Sequence, residues 1–344
     1  MIYYSHSREL KDGEVEGSKL LQEHTSGVWE KALERFCSSV KFDLSVRELR
    51  KLLKIVISFH DLGKYTSYFQ NYLLKREPIN QKLKQHSRFG GYAAFNLLKE
   101  EDEKKALIAL YLIFLHHGKL LALDDIVGKI DSDAQRVFGH QLQDIDKSIS
   151  AIERELGLNQ LEKLLRFPDV KSIRKQAKIW IRREQNTADY FLINYLFSLL
   201  IEADKLDASD TPLYKQKKID EFCVDKRFGA PGSSGFQTLT SLTNNELRNY
   251  CRAEVVSHLQ DKDILDQHLF TLTAPTGIGK TMTALDFALK LKAKLRKEKG
   301  YESQIIYALP FINIIEQAID EYKVTLPESD VRILGHYQFA DVFG

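Results

Sequence analysis

The stretch LRKLLKIVISFHDLGK, residues 49–64, is the part of the chain that most strongly indicates both fold and site. Its apolar residues recur at spacings of three and four, which predicts an amphipathic helix. That helix ends at His60-Asp61, and Gly63 and Lys64 follow. The pair offers a metal one imidazole nitrogen and one carboxylate that can bridge to a second ion. Core packing gives little reason for such a pair at a helix end.

The composition indicates a globular protein with two domains. The chain has 344 residues, 43% of them hydrophobic, which is enough for a sizeable core. Its longest apolar stretches are too short to cross a bilayer and no signal-peptide pattern is present, so we expect a cytoplasmic protein without membrane contact. Three widely spaced cysteines predict free thiols. The net charge of +2 does not by itself indicate nucleic-acid binding.

The periodicity changes along the chain and divides it into two parts. Residues 1–225 follow a helical pattern and predict an all-helical domain, and residues 226–243 are rich in Gly, Pro, Ser and Thr and predict a linker. Residues 244–344 alternate helices with three predicted strands, namely HLFTLTAP (268–275), SQIIYALP (303–310) and VRILGHY (331–337). We therefore expect a mainly α protein, with an incomplete α/β RecA-like domain of the phosphate-loop type as its second part.

Further histidines and a carboxylate in helical segments suggest that the His60-Asp61 pair belongs to a larger metal site. In chain order, the additional residues are His24, His86, His116, His117 and Asp204. The order resembles the ligand set of HD-type metal phosphohydrolases. Each residue alone has a simpler explanation, such as a surface position or, for the histidine doublet, a favourable interaction with a helix dipole. Together they favour a metal site.

Five histidines and two aspartates can hold two ions with Asp61 as the shared carboxylate. We expect His24, His60 and Asp204 on one ion and His86, His116 and His117 on the other. Two ions about 3.5–4 Å apart can activate a water and stabilise the leaving oxygen of a phosphodiester. The histidine-rich ligand set is compatible with Fe, Mn, Co or Ni.

Lys64 is a second candidate for a catalytic role, beside Asp61. It lies about one helical turn beyond His60. Its ammonium group could hold the scissile phosphate, pair with Asp61 or simply face solvent. The sequence does not separate these three alternatives.

A phosphate-binding loop is predicted at residues 274–281, APTGIGKT, between a predicted strand and a helix. Backbone amides at Thr276, Gly277 and Gly279 would cradle the phosphates of ATP. Lys280 would reach the β and γ groups, and the Thr281 hydroxyl would bind Mg²⁺. Ala274 stands where the general motif has its first glycine, a variant that resembles motif I of superfamily 2 helicases.

An HD metal site followed by a helicase phosphate loop resembles the type I CRISPR-associated nuclease-helicases. The segment IIYALPFINIIEQ, residues 305–317, is similar to motif Ia of that family. The resemblance implies that the seven metal-site positions serve a single-stranded DNA nuclease. It also implies a 3′ to 5′ helicase driven by ATP and Mg²⁺, and recruitment by the Cascade surveillance complex.

The chain departs from this family in its second part, because no acidic Walker B motif or second RecA-like domain follows. We therefore expect a fragment, a truncated gene or one half of a split gene, with ATP hydrolysis confined to a full-length protein. Two other functions remain open at this stage. One is an HD phosphohydrolase acting on small nucleotides, and the other is a non-catalytic fragment that docks on Cascade.

Overall fold

A computed structural model of the chain describes residues 2–335 except 39, 79, 159, 183–186, 214–217, 232–241, 301, 328–332 and 334. It divides into two compact units, Met1–Tyr214 and Lys215–Gly344. This division lies before the boundary predicted at 225/226, and most of the predicted linker 226–243 falls outside the described residues. No helix in the described part of the chain is both long enough and apolar enough to span a bilayer.

The first unit is built mainly from helices, which confirms the predicted class. The helices are α1 (Leu21–Arg35), α2 (Val46–Phe59), α3 (Ser67–Leu73), α4 (Ser87–Leu98), α5 (Glu103–Leu115), α6 (Leu123–Val127), α7 (Ser132–Ile145), α8 (Ile149–Leu156), α9 (Leu161–Leu164), α10 (Val170–Arg182) and α11 (Thr187–Ala208). Short 3-10 turns lie at Leu62–Tyr65 and Asp146–Ser148.

The prediction that this unit is entirely helical is wrong at its N-terminus, where β1 (Tyr4–Glu9) pairs antiparallel with β2 (Val15–Leu20). The turn between the strands contains Gly13 with φ of 86°, a left-handed conformation that glycine adopts without steric penalty. The sequence of β1, YSHSRE, lacks the β-branched alternation that signals a strand. The hairpin is therefore specified by its turn and its cross-strand pairing.

Helix α2 forms where the sequence predicts it. Ser45 and Glu48 make a capping box at its start, with Glu48 N donating to Ser45 Oγ at 3.3 Å and Ser45 N donating to Glu48 Oε2 at 3.0 Å. Its apolar stripe, including Leu49, Leu53 and Val56, is buried. Burying each such side chain stabilises the fold by about 1.5–3 kcal/mol relative to exposure. The helix carries His60 to the interior at its C-terminal end.

Glycines let the central helices approach closely. A methyl group added at Gly90 in α4 would overlap with the carbonyl oxygen of Phe59, the last residue of α2. A methyl group added at Gly63 would lie 2.5 Å from the Cα atom of His86. The backbone at the end of α2 is thereby packed directly against the start of α4. This contact fixes the positions of the residues just after α2 relative to those just before α4.

The second unit contains α12 (Cys223–Phe228), α13 (Asn244–Ser257), α14 (Lys280–Lys299) and α15 (Ile312–Thr325), with a 3-10 turn at His258–Gln260. Helices α12 and α14 share a small apolar cluster of Val224, Leu285 and Leu289. Because α12 packs within this unit, residues up to 225 do not all belong to the first domain, contrary to the predicted boundary.

The predicted strands 268–275 and 303–310 carry no strand pairing among the described residues, and the third, 331–337, lies largely outside them. Their apolar side chains are exposed, with Leu269 83% and Ile306 85% accessible. A strand is defined by hydrogen bonds to a neighbour, which local sequence cannot provide. The helices α14 and α15, whose bonds are internal, form as predicted.

A buried charge network links three helices of the second unit. The carboxylate of Asp286 in α14 is fully buried and lies 2.8 Å from Lys290 Nζ and 3.6 Å from Arg252 Nε of α13. Lys290 Nζ also lies 2.9 Å from Asp225 in α12. Removing one member would leave a buried charge uncompensated.

The contact between α2 and α4 gives a stability prediction. Gly90→Ala should lower the free energy of unfolding of the first unit by about 1–3 kcal/mol, because the added methyl group overlaps with Phe59 O. Urea denaturation followed by tryptophan fluorescence measures this, since both tryptophans, Trp29 and Trp180, lie in that unit.

Gly139→Ala in α7 is the matched control. Apart from the backbone of α7 itself, no atom of the described residues lies within 4 Å of the added methyl group, so the substitution should stabilise the unit by about 0.5–1 kcal/mol through helix propensity. Equal effects of the two substitutions would contradict the close packing of α2 on α4.

Candidate metal centre

The structure brings all seven predicted ligand residues together in the first unit. Their nitrogen and oxygen atoms form two groups, within each of which the atoms lie no more than 4.8 Å apart. One group is His24, His60, Asp61 and Asp204, and the other is Asp61, His86, His116 and His117. The grouping coincides with the predicted division between two ions, with Asp61 in both. That these residues bind metal stays a prediction.

Helix ends place most of these side chains. His60 caps the C-terminus of α2, His86 precedes the first residue of α4, and His116 caps the C-terminus of α5. His24 lies within α1 and Asp204 within α11, two helices that pack side by side. The site is therefore assembled from three helix termini and two helix faces.

Backbone carbonyls orient two of the imidazole rings. His60 Nδ1 donates to Ile57 O at 2.6 Å, and His116 Nδ1 donates to Ile113 O at 2.7 Å. Each carbonyl lies three residues earlier on the same helix. With the proton held at Nδ1, the Nε2 atom keeps its lone pair and points into the site. This is the tautomer that a metal ligand requires.

Asp61 lies at the centre of the cluster, with one oxygen turned toward each group. Its Oδ2 atom is 3.4 Å from His24 Nε2 and 3.4 Å from His60 Nε2. Its Oδ1 atom is 3.3 Å from His86 Nε2 and 3.7 Å from His116 Nε2. A carboxylate in this position can serve as a ligand to two cations at once.

Four buried polar atoms at this centre test whether metal ions fit. His60 Nε2, His116 Nε2 and Asp61 Oδ1 are buried without a hydrogen-bond partner in the described part of the chain, whereas Asp61 Oδ2 has Lys64 Nζ at 2.7 Å. An unsatisfied buried polar group costs about 1–3 kcal/mol, and more when it is charged. All four atoms carry lone pairs that a cation can accept. The residues therefore fit cations, which would satisfy every one of them.

The second group opens toward solvent at His117. Its Nε2 atom lies 2.6 Å from His86 Nε2, and its side chain is exposed, whereas His116 beside it is buried. Two imidazole nitrogens this close must share a proton or a cation. The exposed side of this group is where a substrate could approach.

Burial and charge set the protonation of the ligands. Burial would raise the pKa of Asp61, but its electrostatic interactions with the nearby His60 and Lys64 hold that pKa well below its usual value. Burial lowers the pKa of His86 to about 4 and, with the adjacent His116, that of His117 to about 3. An ionised carboxylate and neutral imidazoles are the forms that bind metal.

His24 differs from the other histidines. Burial would lower its pKa, but hydrogen bonds to Asp204, Asp207 and Asp61 outweigh burial and raise the pKa to about 10. Its Nε2 atom lies 3.1 Å from Asp204 Oδ1. Three carboxylates thus surround this ring and favour a positive charge there, as a proton or as a metal ion that displaces it.

Lys64 is buried, so the alternative in which it faces solvent is wrong. Its Nζ atom lies 2.7 Å from Asp61 Oδ2 as an ion pair and 5.5 Å from the centre of the Phe69 ring. Among the three alternatives, the structure therefore selects pairing with Asp61. A contact with a scissile phosphate stays a prediction.

Two residues near the site were missed from sequence. The ring of His6, on β1, lies 4.9 Å from the ring of His24 and perpendicular to it. Because no strand was predicted there, this contact could not have been found. Asp207 Oδ2 lies 2.7 Å from His24 Nδ1. Its position three residues after Asp204, on the same face of α11, was a signal that could have identified it.

The predicted phosphate-loop residues lead directly into α14. Gly277 and Gly279 have φ of 81° and 83°, and α14 begins at Lys280, followed by Thr281. Lys280 Nζ donates to the carbonyl oxygens of Ala274 and Pro275, both at 2.8 Å. Nucleotide binding by Thr276 and these residues stays a prediction.

Arg248 of α13 supports the phosphate loop. Its Nε atom donates to Gly277 O at 3.0 Å. The contact joins the loop to the preceding helix of the same unit.

A helical unit that gathers a His-Asp pair, four further histidines and one further aspartate is an HD-type domain. A family model described as "Cas3, HD domain" matches residues 11–184, just over half of the chain, and the chain belongs to this family. A second model, described as "Type III restriction enzyme, res subunit", matches residues 244–338. The resemblance to CRISPR-associated nuclease-helicases is thereby confirmed, and the second part is a helicase-like region.

Two curated relatives agree with this assignment. The CRISPR-associated nuclease/helicase Cas3 of Haloferax volcanii is 25% identical over 305 residues, which are 78% of this chain and 32% of that protein. The CRISPR-associated endonuclease Cas3-HD of Pyrococcus furiosus is 27% identical over 134 residues, which are 36% of this chain and 56% of that protein. The chain thus matches about a third of the first relative and just over half of the second.

The shared position of Asp61 predicts how metal affects stability. Mn²⁺ at a hundred times its dissociation constant should stabilise the first unit by about 2.7 kcal/mol for each bound ion. Asp61→Ala should abolish most of this gain, because Asp61 belongs to both ligand groups. Thermal unfolding followed by tryptophan fluorescence, with and without Mn²⁺, measures the difference.

His140→Ala is the control for this experiment, since His140 is exposed on α7 and belongs to neither ligand group. It should respond to Mn²⁺ as the unmodified protein does. A full Mn²⁺ response in folded Asp61→Ala would rule out the bridging assignment.

Proposed function

We propose that the first unit is a two-metal nuclease that cleaves single-stranded DNA in CRISPR interference. The observation that carries the proposal is the buried Asp61 carboxylate, which presents one oxygen to each of two histidine-rich groups. A site for a single ion would need only one of these groups. Membership of the Cas3 HD family supports DNA cleavage as the reaction, in preference to other metal-dependent reactions.

The two ligand groups suggest which residues would hold each cation. His24, His60 and Asp204 would hold one cation, His86, His116 and His117 the other, and Asp61 both. When bound, the cations supply a water activated for attack and charge stabilisation for the leaving oxygen. Asp61 fixes the spacing between the two groups, and the exposed His117 marks the side from which a phosphodiester would enter.

Lys64 is proposed to have an electrostatic role. Its ammonium group is buried beside Asp61 Oδ2 and has no acidic partner other than Asp61 among the described residues. Cations bound at Asp61 would compete for this carboxylate and leave the ammonium group available to a phosphate oxygen of the substrate. Burial strengthens such a contact, because the local dielectric is low.

The metals are proposed to be divalent transition ions. A ligand set of five histidines and two carboxylates suits Mn²⁺, Fe²⁺, Co²⁺ or Ni²⁺ better than Mg²⁺ or Ca²⁺, which prefer oxygen ligands. The second unit is proposed to bind ATP with Mg²⁺ through Lys280 and Thr281, as the beginning of a 3′ to 5′ helicase. The names of the two relatives support a role in CRISPR interference, and Cascade is the proposed partner.

The nuclease proposal predicts cleavage of circular single-stranded DNA by this chain with Mn²⁺ and without ATP. His117→Ala should reduce the initial rate at least tenfold, because it removes one ligand of the second group, whereas His140→Ala should not change it. A gel assay of circular single strands, with blunt duplex beside it, measures both effects.

Small nucleotides tested under the same conditions distinguish the alternatives. Hydrolysis of nucleoside phosphates without DNA cleavage would favour an HD phosphohydrolase instead. A folded protein that binds metal but cleaves neither substrate would favour a non-catalytic docking role.

A further inference from the structure

Asp207 is a buried carboxylate of the first unit that belongs to neither ligand group. The residue is only 2% exposed, and its Oδ2 atom accepts a hydrogen bond from His24 Nδ1 at 2.7 Å. The opposite ring nitrogen, His24 Nε2, faces Asp204 and Asp61 at 3.1 and 3.4 Å. One ring therefore connects Asp207 to the proposed metal ligands.

The partner of His24 differs from those of the other buried histidines. His60 and His116 donate from Nδ1 to backbone carbonyls of their own helices, which hold the rings with local geometry. His24 of α1 instead donates to a carboxylate on α11, 183 residues away in the chain. The direction of its ring thus depends on a long-range side-chain contact.

Two lysines hold the Asp207 carboxylate in place. Lys19 Nζ, on β2, lies 2.9 Å from Oδ2 and also donates to the Asp207 carbonyl oxygen at 2.7 Å. Lys31 Nζ, on α1, lies 3.2 Å from Oδ1. Both carboxylate oxygens are therefore engaged from outside the metal groups, and the hairpin and α1 together fix the orientation of the side chain.

The space around Asp207 is equally restricted. A methyl group added at Gly27, one turn after His24 on α1, would overlap with Asp207 Oδ1. Only glycine allows α1 to approach this carboxylate so closely. Position 27 therefore offers a way to displace Asp207 without changing its chemistry.

We propose that Asp207 is a positioning residue, which holds the His24 imidazole with Nε2 directed at the cation of the group His24, His60, Asp61 and Asp204. The inference rests on the proposed two-metal function and adds a residue to it. A carboxylate that accepts from Nδ1 fixes the tautomer and increases the basicity of the coordinating nitrogen. The other group, which lacks His24, does not depend on Asp207.

Calorimetric titration of the purified protein with Mn²⁺ tests the proposal. The unmodified chain should bind two ions. Asp207→Ala should weaken one binding step 10- to 100-fold and leave the other unchanged, which a general loss of structure would not do. Asp207→Asn should have a smaller effect on the same step, since its side-chain oxygen still accepts from Nδ1 but lacks the negative charge.

Further variants assign the affected step and control for folding. The step weakened by Asp207→Ala should be the one that remains in His117→Ala, which removes a ligand of the other group. Gly27→Ala should weaken that same step by displacing the carboxylate. Asp210→Asn is the matched control, because Asp210 is exposed and pairs with Lys19 at 2.9 Å without contacting His24. Asp210→Asn should bind both Mn²⁺ ions with unchanged affinity.

The possible outcomes distinguish failure of the positioning role of Asp207 from failure of the two-metal function. Asp207→Ala and Asp207→Asn proteins that are folded by tryptophan fluorescence and bind both ions with unchanged affinity would overturn the positioning role. Equal weakening of both steps would overturn it as well, because the effect would then be structural. An unmodified chain that binds no Mn²⁺ would refute the two-metal function itself.

Discussion

The carboxylate of Asp61, buried between two sets of imidazoles, is the constraint on which the first unit depends. A charge in this position is unfavourable unless cations surround it, and the described residues provide Lys64 on one side and histidine nitrogens on the others. The surrounding structure keeps these groups close enough to compensate it. Three helix termini converge there, and the lack of a side chain at Gly63 and Gly90 lets them approach this closely.

The same constraint explains why the supporting interactions are so different from one another. His60 and His116, at helix ends, are oriented by carbonyls of the preceding turn. His24, on a helix face, needs Asp207, which in turn is held by lysines from the hairpin and from α1. The hairpin thus contributes to the metal centre, although it supplies none of the seven ligands.

Much of this could be predicted from sequence, and the rest could not for physical reasons. Local signals were sufficient for α2, with its apolar stripe. The set of seven ligand residues was instead predicted from their order in the chain, which resembles that of HD-type enzymes. The hairpin was missed, since YSHSRE has no alternating pattern and is held by pairing. The role of Asp207 depends on the packing of α1 against α11. The prediction of strands at 268–275 and 303–310 was wrong because a strand requires hydrogen bonds to a neighbouring strand. The helices α14 and α15 were predicted correctly because their hydrogen bonds are internal.

The most direct test of the account is anomalous X-ray diffraction from crystals of the first unit or the whole chain grown with Mn²⁺. We expect two anomalous peaks about 3.5–4 Å apart, one on each oxygen of Asp61, with His60 at the first and His116 at the second. A single peak, or two peaks that do not share Asp61, would contradict the central claim that this carboxylate bridges two metal ions.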